Sequence, residues 1–423
     1  MMTQKTILNL SPDTLPFDLD LLPSTTYLVG GAVRDAVLNY KRDYLDLDFV
    51  LPEFAVETAR KIANNYHGGF VVLDAQRNIA RVVLKQGTVD FAQQEGDSIE
   101  KDLGRRDFTI NAIAYNFHQQ KLIDPLGGLQ DLQAKTLRMI AIKNLQDDPL
   151  RLLRAYRQAA QLNFTIETKT RHIINKLSPL ITTVAAERVQ AELNYLLGNS
   201  RGSYWLNEMG KEGLLTAFFR HINQQKRQEI SQIDQEILLL KNKLQLKNFL
   251  ALFNLKPNEN IYSSPLIIRS KLTCLVSNLP EEAEAELLAL KYSNNDIKSV
   301  LKVLDNLPFI QNNQGEISLR NLYFFFLNIG KNFPILALVG LVKDINNELI
   351  FKLINHYLNP KDKVAHPFPL VTGHDLIQHL NIKPSPQLGQ LLTEISIAHM
   401  EEKISTKEEA LIFAKSYLDS NWF

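Results

Sequence analysis

Residues 27–50 read YLVGGAVRDAVLNYKRDYLDLDFV, and the fold turns on them. The apolar run Tyr27, Leu28, Val29 predicts a strand. Gly30 and Gly31 predict a tight turn into a helix over 32–39, and a second strand follows over 45–51. Side chains two apart on a strand share a face. Asp46 and Asp48 therefore project together, while Leu45, Leu47 and Phe49 enter a core. Two neighbouring carboxylates repel unless a cation lies between them. Mg2+ suits such a pair, because it takes carboxylates together with phosphate oxygens. The double glycine lets backbone N–H groups approach phosphate, and the helix start behind it favours anions. Arg34 and Asp35 lie one turn into that helix. A D-x-D alone is usually a solvated pair and Gly-Gly alone a turn. Their crowding into two dozen residues points to a nucleotide site.

The chain has 423 residues, which predicts two to four domains. Its net charge of +1 argues against wrapping long nucleic acid and leaves room for a local basic patch. The single cysteine, Cys274, rules out an internal disulfide framework, fits a reducing compartment and reads as a core residue. No Cys/His spacing suits zinc. The first twenty residues carry acids and a proline where a secretory signal would be basic and then apolar. No apolar run reads as long enough to cross a membrane, and a cytoplasmic location is expected.

From Tyr27 to about residue 144 the pattern is mixed α/β. A helix is expected over 54–65, and strands over 69–74, 79–84 and 88–92. Asp90, in the last of these, is a candidate third carboxylate or a strand-edge acid. A polar stretch, 93–104, leads to RRDFTINAIAYN at 105–116. There Thr109, Ile110, Ala112 and Ile113 suggest a helix with Arg105, Arg106, Asp107 and Asn111 near its start. Arginine beside a phosphate site forks onto phosphate or ribose oxygens. Asp124-Pro125 and Gly127-Gly128 mark a turn, with Asp131 a helix cap or start.

Beyond residue 145 strand signals fade and helical periodicity takes over. In DDPLRLLRAYRQAAQLNF, 147–164, Pro149 suits a first helical turn. Asp148, Arg151, Arg154 and Arg157 recur every three residues along one broad polar face, which is either a solvated face or a ligand-binding one. A helix over 185–197 begins with Glu187 and Arg188. Amphipathic helices follow, including 228–241 and 317–327, then a linker at 360–369 and a last helical unit to 423. His374-Asp375, at a helix start, reads as a cap or an exposed pair.

These motifs together resemble the class II tRNA nucleotidyltransferases, the family of CCA-adding enzymes and bacterial poly(A) polymerases. The likeness is dense from residue 27 to about 197 and returns faintly at 370–392. Five ordered motifs carry it: Gly30-Gly31-Ala32-Val33-Arg34-Asp35 with Asp46 and Asp48; 105–112; Asp124 through Asp131; Asp147-Asp148-Pro149-Leu150-Arg151; and Glu187-Arg188-Val189 with Glu192-Leu193. The fourth usually begins with glutamate, and Asp147 replaces it. The resemblance implies an α+β nucleotidyltransferase head of the polymerase β type, followed by an all-α neck, body and tail. Its divisions fall at 1–24 (leader), 25–144 (head), 145–200 (neck), 201–360 (body) and 361–423 (tail).

It further implies two-metal nucleotidyl transfer with Mg2+ on Asp46 and Asp48. Gly30, Gly31 and Arg34 would lie on the triphosphate, and Arg106 and Asn111 near ribose and phosphate. Asp148 and Arg151 would read the base beside Arg154 and Arg157. The substrates would be tRNA with CTP and ATP, and the helical half would measure the tRNA. Cytosine and adenine both pair an amino donor with a ring-nitrogen acceptor, whereas uracil and guanine reverse that pattern. Full CCA-adding relatives carry a longer flexible segment before RRDFTIN; here only 91–104 separate Asp90 from Arg105. A short segment implies CC addition, with a separate A-adding enzyme acting next. Full CCA addition, A addition, poly(A) synthesis and an inactive RNA-binding relative are the alternatives.

Overall fold

The computed structural model describes residues 10–40, 44–313, 315, 317–343 and 345–421. The first nine residues of the leader lie outside them. The chain divides into two compact units. One comprises Met1–Leu193 with Glu212–Ala217, the other Asn194–Lys211 with Phe218–Phe423.

The first unit is built on a seven-stranded sheet. Its strands are β1 (Tyr27–Val29), β2 (Leu45–Leu51), β3 (Gly69–Asp74), β4 (Ile79–Leu84), β5 (Gly87–Gln93), β6 (Ala114–Asn116) and β7 (Lys121–Ile123). Their spatial order is β3-β4-β5-β2-β1-β6-β7. The β2–β5 pair is parallel and sets Asp48 beside Asp90 and Phe49 beside Phe91. Alternation along β2 follows the sequence from Asp46 to Phe49, while Leu45, at the strand's start, is only partly buried. Leu47 and Phe49 are buried, and Phe49 stacks on Phe91 with ring centres 5.5 Å apart. Phe17 of the leader is buried against both rings, so this part of the leader joins the core.

The helices that accompany the sheet are α1 (Gly31–Val37), α2 (Ala55–Asn65), α3 (Ile99–Gly104), α4 (Gly128–Gln133), α5 (Ile142–Asp147) and α6 (Leu150–Leu162). The helix expected across 105–116 does not form. A 3-10 turn, Thr109–Asn111, gives way to β6, which pairs with β1. Every residue from Asp107 to Phe117 is buried, so no polar face exists to favour a helix. The polar side chains also bond elsewhere: Thr109 Oγ1 donates to Asp131 at 2.6 Å, and Asn111 to Asp107 and Gln158. Such local bonds compete with helix formation. Asp131 is correspondingly no cap. Asp124 caps α4 by accepting from the N–H groups of Gly128 (2.7 Å) and Leu129 (2.9 Å). A Cβ on Gly128 would lie 2.3 Å from the Thr109 carbonyl oxygen, so that turn admits only glycine.

The second unit is helical. Its centre is the helix Phe333–Val342, buried at all ten positions. With Leu319–Ile329 it makes an apolar stretch, Leu319–Val342, long enough to span a membrane, contrary to the sequence reading. That stretch is broken by Gly330 at φ +51°, and 72% of its most apolar window is buried inside the protein. Cys274 is buried in this unit. Near the C-terminus Thr372 and Asp375 form a capping box, which accounts for the His374-Asp375 pair as a helix start.

Candidate active site

One cleft of about 310 Å3 gathers Gly30, Gly31, Arg34, Asp46, Asp48, Arg106, Asn111, Arg151, Arg154 and Arg157, together with Asp107 and Gln158. Gly30 opens it with φ +75°. A Cβ there would lie 3.3 Å from Arg106 Nη1 and 3.5 Å from Asp48 Oδ2. The turn thus brings backbone, a carboxylate and a guanidinium to one point.

Asp46 and Asp48 share the face of β2 opposite the core. Asp46 is exposed and accepts from Thr88 Oγ1 at 3.0 Å; Asp48 is half-buried. Burial raises the Asp48 carboxyl to about 6, the neighbouring Asp46 charge adds to the rise, and Arg106 opposes it. A proton, or a metal ion in its stead, relieves that repulsion. No group of three or more His, Cys, Asp or Glu gathers among the described residues. The donor set therefore fits a hard divalent cation that takes two carboxylates from the protein and its other oxygens from ligands.

Asp90 does not join the pair. Arg81 stands opposite it on β4 and takes both oxygens, at 2.6 and 2.8 Å. Asp90 is therefore held by Arg81 beside Asp48, and its charge still adds to the rise of the Asp48 carboxyl.

The floor of the cleft is a buried network. Arg34 Nη1 donates to Asn111 Oδ1 (2.8 Å), and Asn111 Nδ2 donates to Asp107 Oδ1 (3.0 Å) and Gln158 Oε1 (2.9 Å). Asp107 Oδ2 lies 3.4 Å from Arg154 Nη2. Burial alone would raise Asp107. Arg154, the Asn111 amide, the Phe108 N–H and Arg151 outweigh it and hold the carboxyl below its ordinary range. The Nε–H groups of Arg106, Arg151 and Arg154 are buried without a hydrogen-bond partner. Unpaired buried donors of this kind mark a place for acceptor oxygens or ring nitrogens.

Asp148 stands outside the cleft lining. Its carboxylate accepts from Arg188 Nη2 at 3.1 and 3.2 Å, and Arg151 Nε is 4.0 Å away. Arg151 Nη1 instead donates to the carbonyls of Arg105 and Asn144, both at 2.9 Å. The sequence reading assigned no role to Gln158 or Asn144. Gln158 was findable, since it follows Arg154 by four residues and so shares its helix face. Asn144 carries no such signal.

Comparison with known proteins bears on the family and the fold. Residues 26–138 match the poly(A) polymerase head domain, 163–226 the RNA and SrmB binding site of polymerase A, and 268–414 domain 2 of tRNA nucleotidyltransferases. Over 403 residues the chain is 53% identical to the CC-adding tRNA nucleotidyltransferase of Synechocystis sp., covering 95% of each chain. Over 195 residues it is 40% identical to the CC-adding tRNA nucleotidyltransferase of Geobacter sulfurreducens, covering 46% of this chain and 45% of that one. The fold superposes on the Thermotoga maritima CCA-adding enzyme complexed with tRNA with a TM-score of 0.71, at 22% identity, covering 93% of this chain and 91% of that one. With its head domain matched and nearly its whole length shared in this way, the chain belongs to the family of tRNA nucleotidyltransferases and poly(A) polymerases.

Proposed function

We propose that this protein extends the 3′ end of tRNA without a template, transferring cytidylyl groups from CTP, and stops after two. The observation that carries the reading is the single cleft that joins the Asp46/Asp48 pair to the arginines of α6. The 3′-hydroxyl oxygen forms a bond to the α-phosphorus, its proton passes to solvent water, and the bond from the α-phosphorus to the oxygen bridging the α- and β-phosphates breaks to release pyrophosphate. A divalent ion, Mg2+ in this reading, supplies charge to the attacking hydroxyl and to the leaving group when bound to Asp46 and Asp48. Arg34 and Arg106 hold the triphosphate. Asn111 and Asp107 set Arg34 and Arg154 at fixed positions. Arg151 donates to the ring nitrogen of the base. Asp148 accepts from the base amino group through lone pairs that Arg188 leaves open.

The restriction to cytidine rests on 91–104. The stretch is short and braced. Ser98 caps α3, Glu95 N–H donates to Asp102 at 3.1 Å, and Arg105 pairs with Glu95. A terminal adenosine then requires a second enzyme. We place the protein in the cytoplasm, where its one thiol, buried, meets reducing conditions, and read 25–144 as head, 145–200 as neck, 201–360 as body and 361–423 as tail. Purified protein given tRNA lacking CCA, with CTP and ATP, should add two cytidines. Efficient addition of a third nucleotide would refute the restriction.

A further inference from the structure

Helix α3 ends at Gly104, and the last carbonyls of a helix have no partner within it. Here the carbonyls of Gly104, Arg105 and Arg106 are all taken by α5 and α6. Asn144 Nδ2 donates to the carbonyl of Gly104 at 2.8 Å and to that of Arg106 at 2.7 Å. Arg151 Nη1 donates to the carbonyl of Arg105 and to that of Asn144, both at 2.9 Å. Asn144 is buried and belongs to no lining of the cleft. Its amide thus fixes the turn whose central carbonyl fixes Arg151. The same turn carries Arg106, which faces Gly30 across the cleft and is paired with Asp102 at 3.2 Å.

We propose that Asn144 is a positioning residue for base selection. By fastening the 104–106 turn it holds Arg151 in one orientation, and with it the choice of cytosine over adenine. The inference rests on the nucleotidyl-transfer reading above. A purine carries its amino and ring-nitrogen edge further from the ribose than a pyrimidine does. With ribose and phosphates held at the Arg34–Arg106 end, one arginine position cannot serve both bases. Arg151, held by two backbone carbonyls, is unable to retreat for adenine. Without the Asn144 amide the turn loses two of the three hydrogen bonds that α5 and α6 make to it, and Arg151 gains other rotamers.

The test uses the full-length protein, on tRNA lacking CCA and on tRNA ending in CC. kcat/KM is measured for CTP and for ATP in the wild type, in Asn144→Ala and in Asn144→Ser. The CTP-to-ATP ratio taken within one preparation does not depend on how much of the variant has folded. Asn144→Ala should lower that ratio by about tenfold or more, mainly through a higher KM for CTP, and should add adenosine to tRNA ending in CC. Asn144→Ser, which keeps one donor, should fall between. A ratio within about threefold of wild type in both variants, or equal losses for CTP and ATP, would overturn the proposal. A wild type that incorporates neither nucleotide would instead overturn the parent reading.

Discussion

Asp48 is the side chain whose chemistry is most sharply defined. Its carboxyl, ordinarily near 3.8, titrates near 6 in the fold. A folded value above the unfolded one means that ionisation opposes folding. The cost is absent below about 4, grows between 4 and 6, and is complete above 6. In divalent-free buffer, Asp48→Asn should therefore raise the melting temperature at pH 8, by up to about 3 kcal/mol of stability. The gain should vanish by pH 4, and an equal gain at both pH values would show that Asp48 is not strained. Metal competes with the same proton, so the Mg2+ needed for half-maximal incorporation should rise as pH falls below about 6. A constant requirement from pH 8 to 5.5 would contradict this. Asn111 makes a contrasting case. It anchors Arg34 and shares no hydrogen bond with Arg151, so Asn111→Ala should raise KM for CTP and ATP alike, by about tenfold, leaving their ratio unchanged. A changed ratio would place Asn111 in base reading.

Among the secondary-structure elements, those with a clear period were legible. The alternation of Leu45, Asp46, Leu47, Asp48 and Phe49 determines β2 and its two faces. The three-residue recurrence of Arg151, Arg154 and Arg157 marks the α6 face that lines the cleft. What failed was the stretch around Thr109–Asn111. A segment buried on all sides has no period to read, and its conformation is decided by partners distant in sequence: Asp131, Gln158 and Arg34. The partner of Asp90 was hidden for a related reason. It is Arg81, a residue that only the β4–β5 register brings opposite. The α4 turn offers a direct test of packing. Gly128→Ala would drive a methyl group into the Thr109 carbonyl and should cost about 2–4 kcal/mol, read as a lowered urea midpoint. An unchanged midpoint would mean that the turn yields.

In the molecule as a whole, the domain boundaries were less legible than the site. The first compact unit takes back Glu212–Ala217 after the chain has left it. Glu212 accepts from Arg171 Nε at 2.7 Å and from the hydroxyl of Tyr156, on the helix that bears the arginines. Burial raises its carboxyl to about 7. Nothing in local composition announces such a return, because it is a property of three-dimensional contact. A fragment of residues 1–200 omits Glu212 and leaves polar groups of Tyr156 and Arg171 without that partner. It should melt lower than a fragment of residues 1–222, and equal melting temperatures would show that the returning segment is dispensable.

The proposed joining of the Asp46/Asp48 pair, as metal ligands, to the arginine-bearing helix, as reader of the nucleotide, is tested most directly by Asp46→Ala. Incorporation of labelled CTP into tRNA lacking CCA should fall by about a thousandfold or more, while tRNA affinity stays within about threefold of wild type. Incorporation at the wild-type rate by that variant would contradict the account.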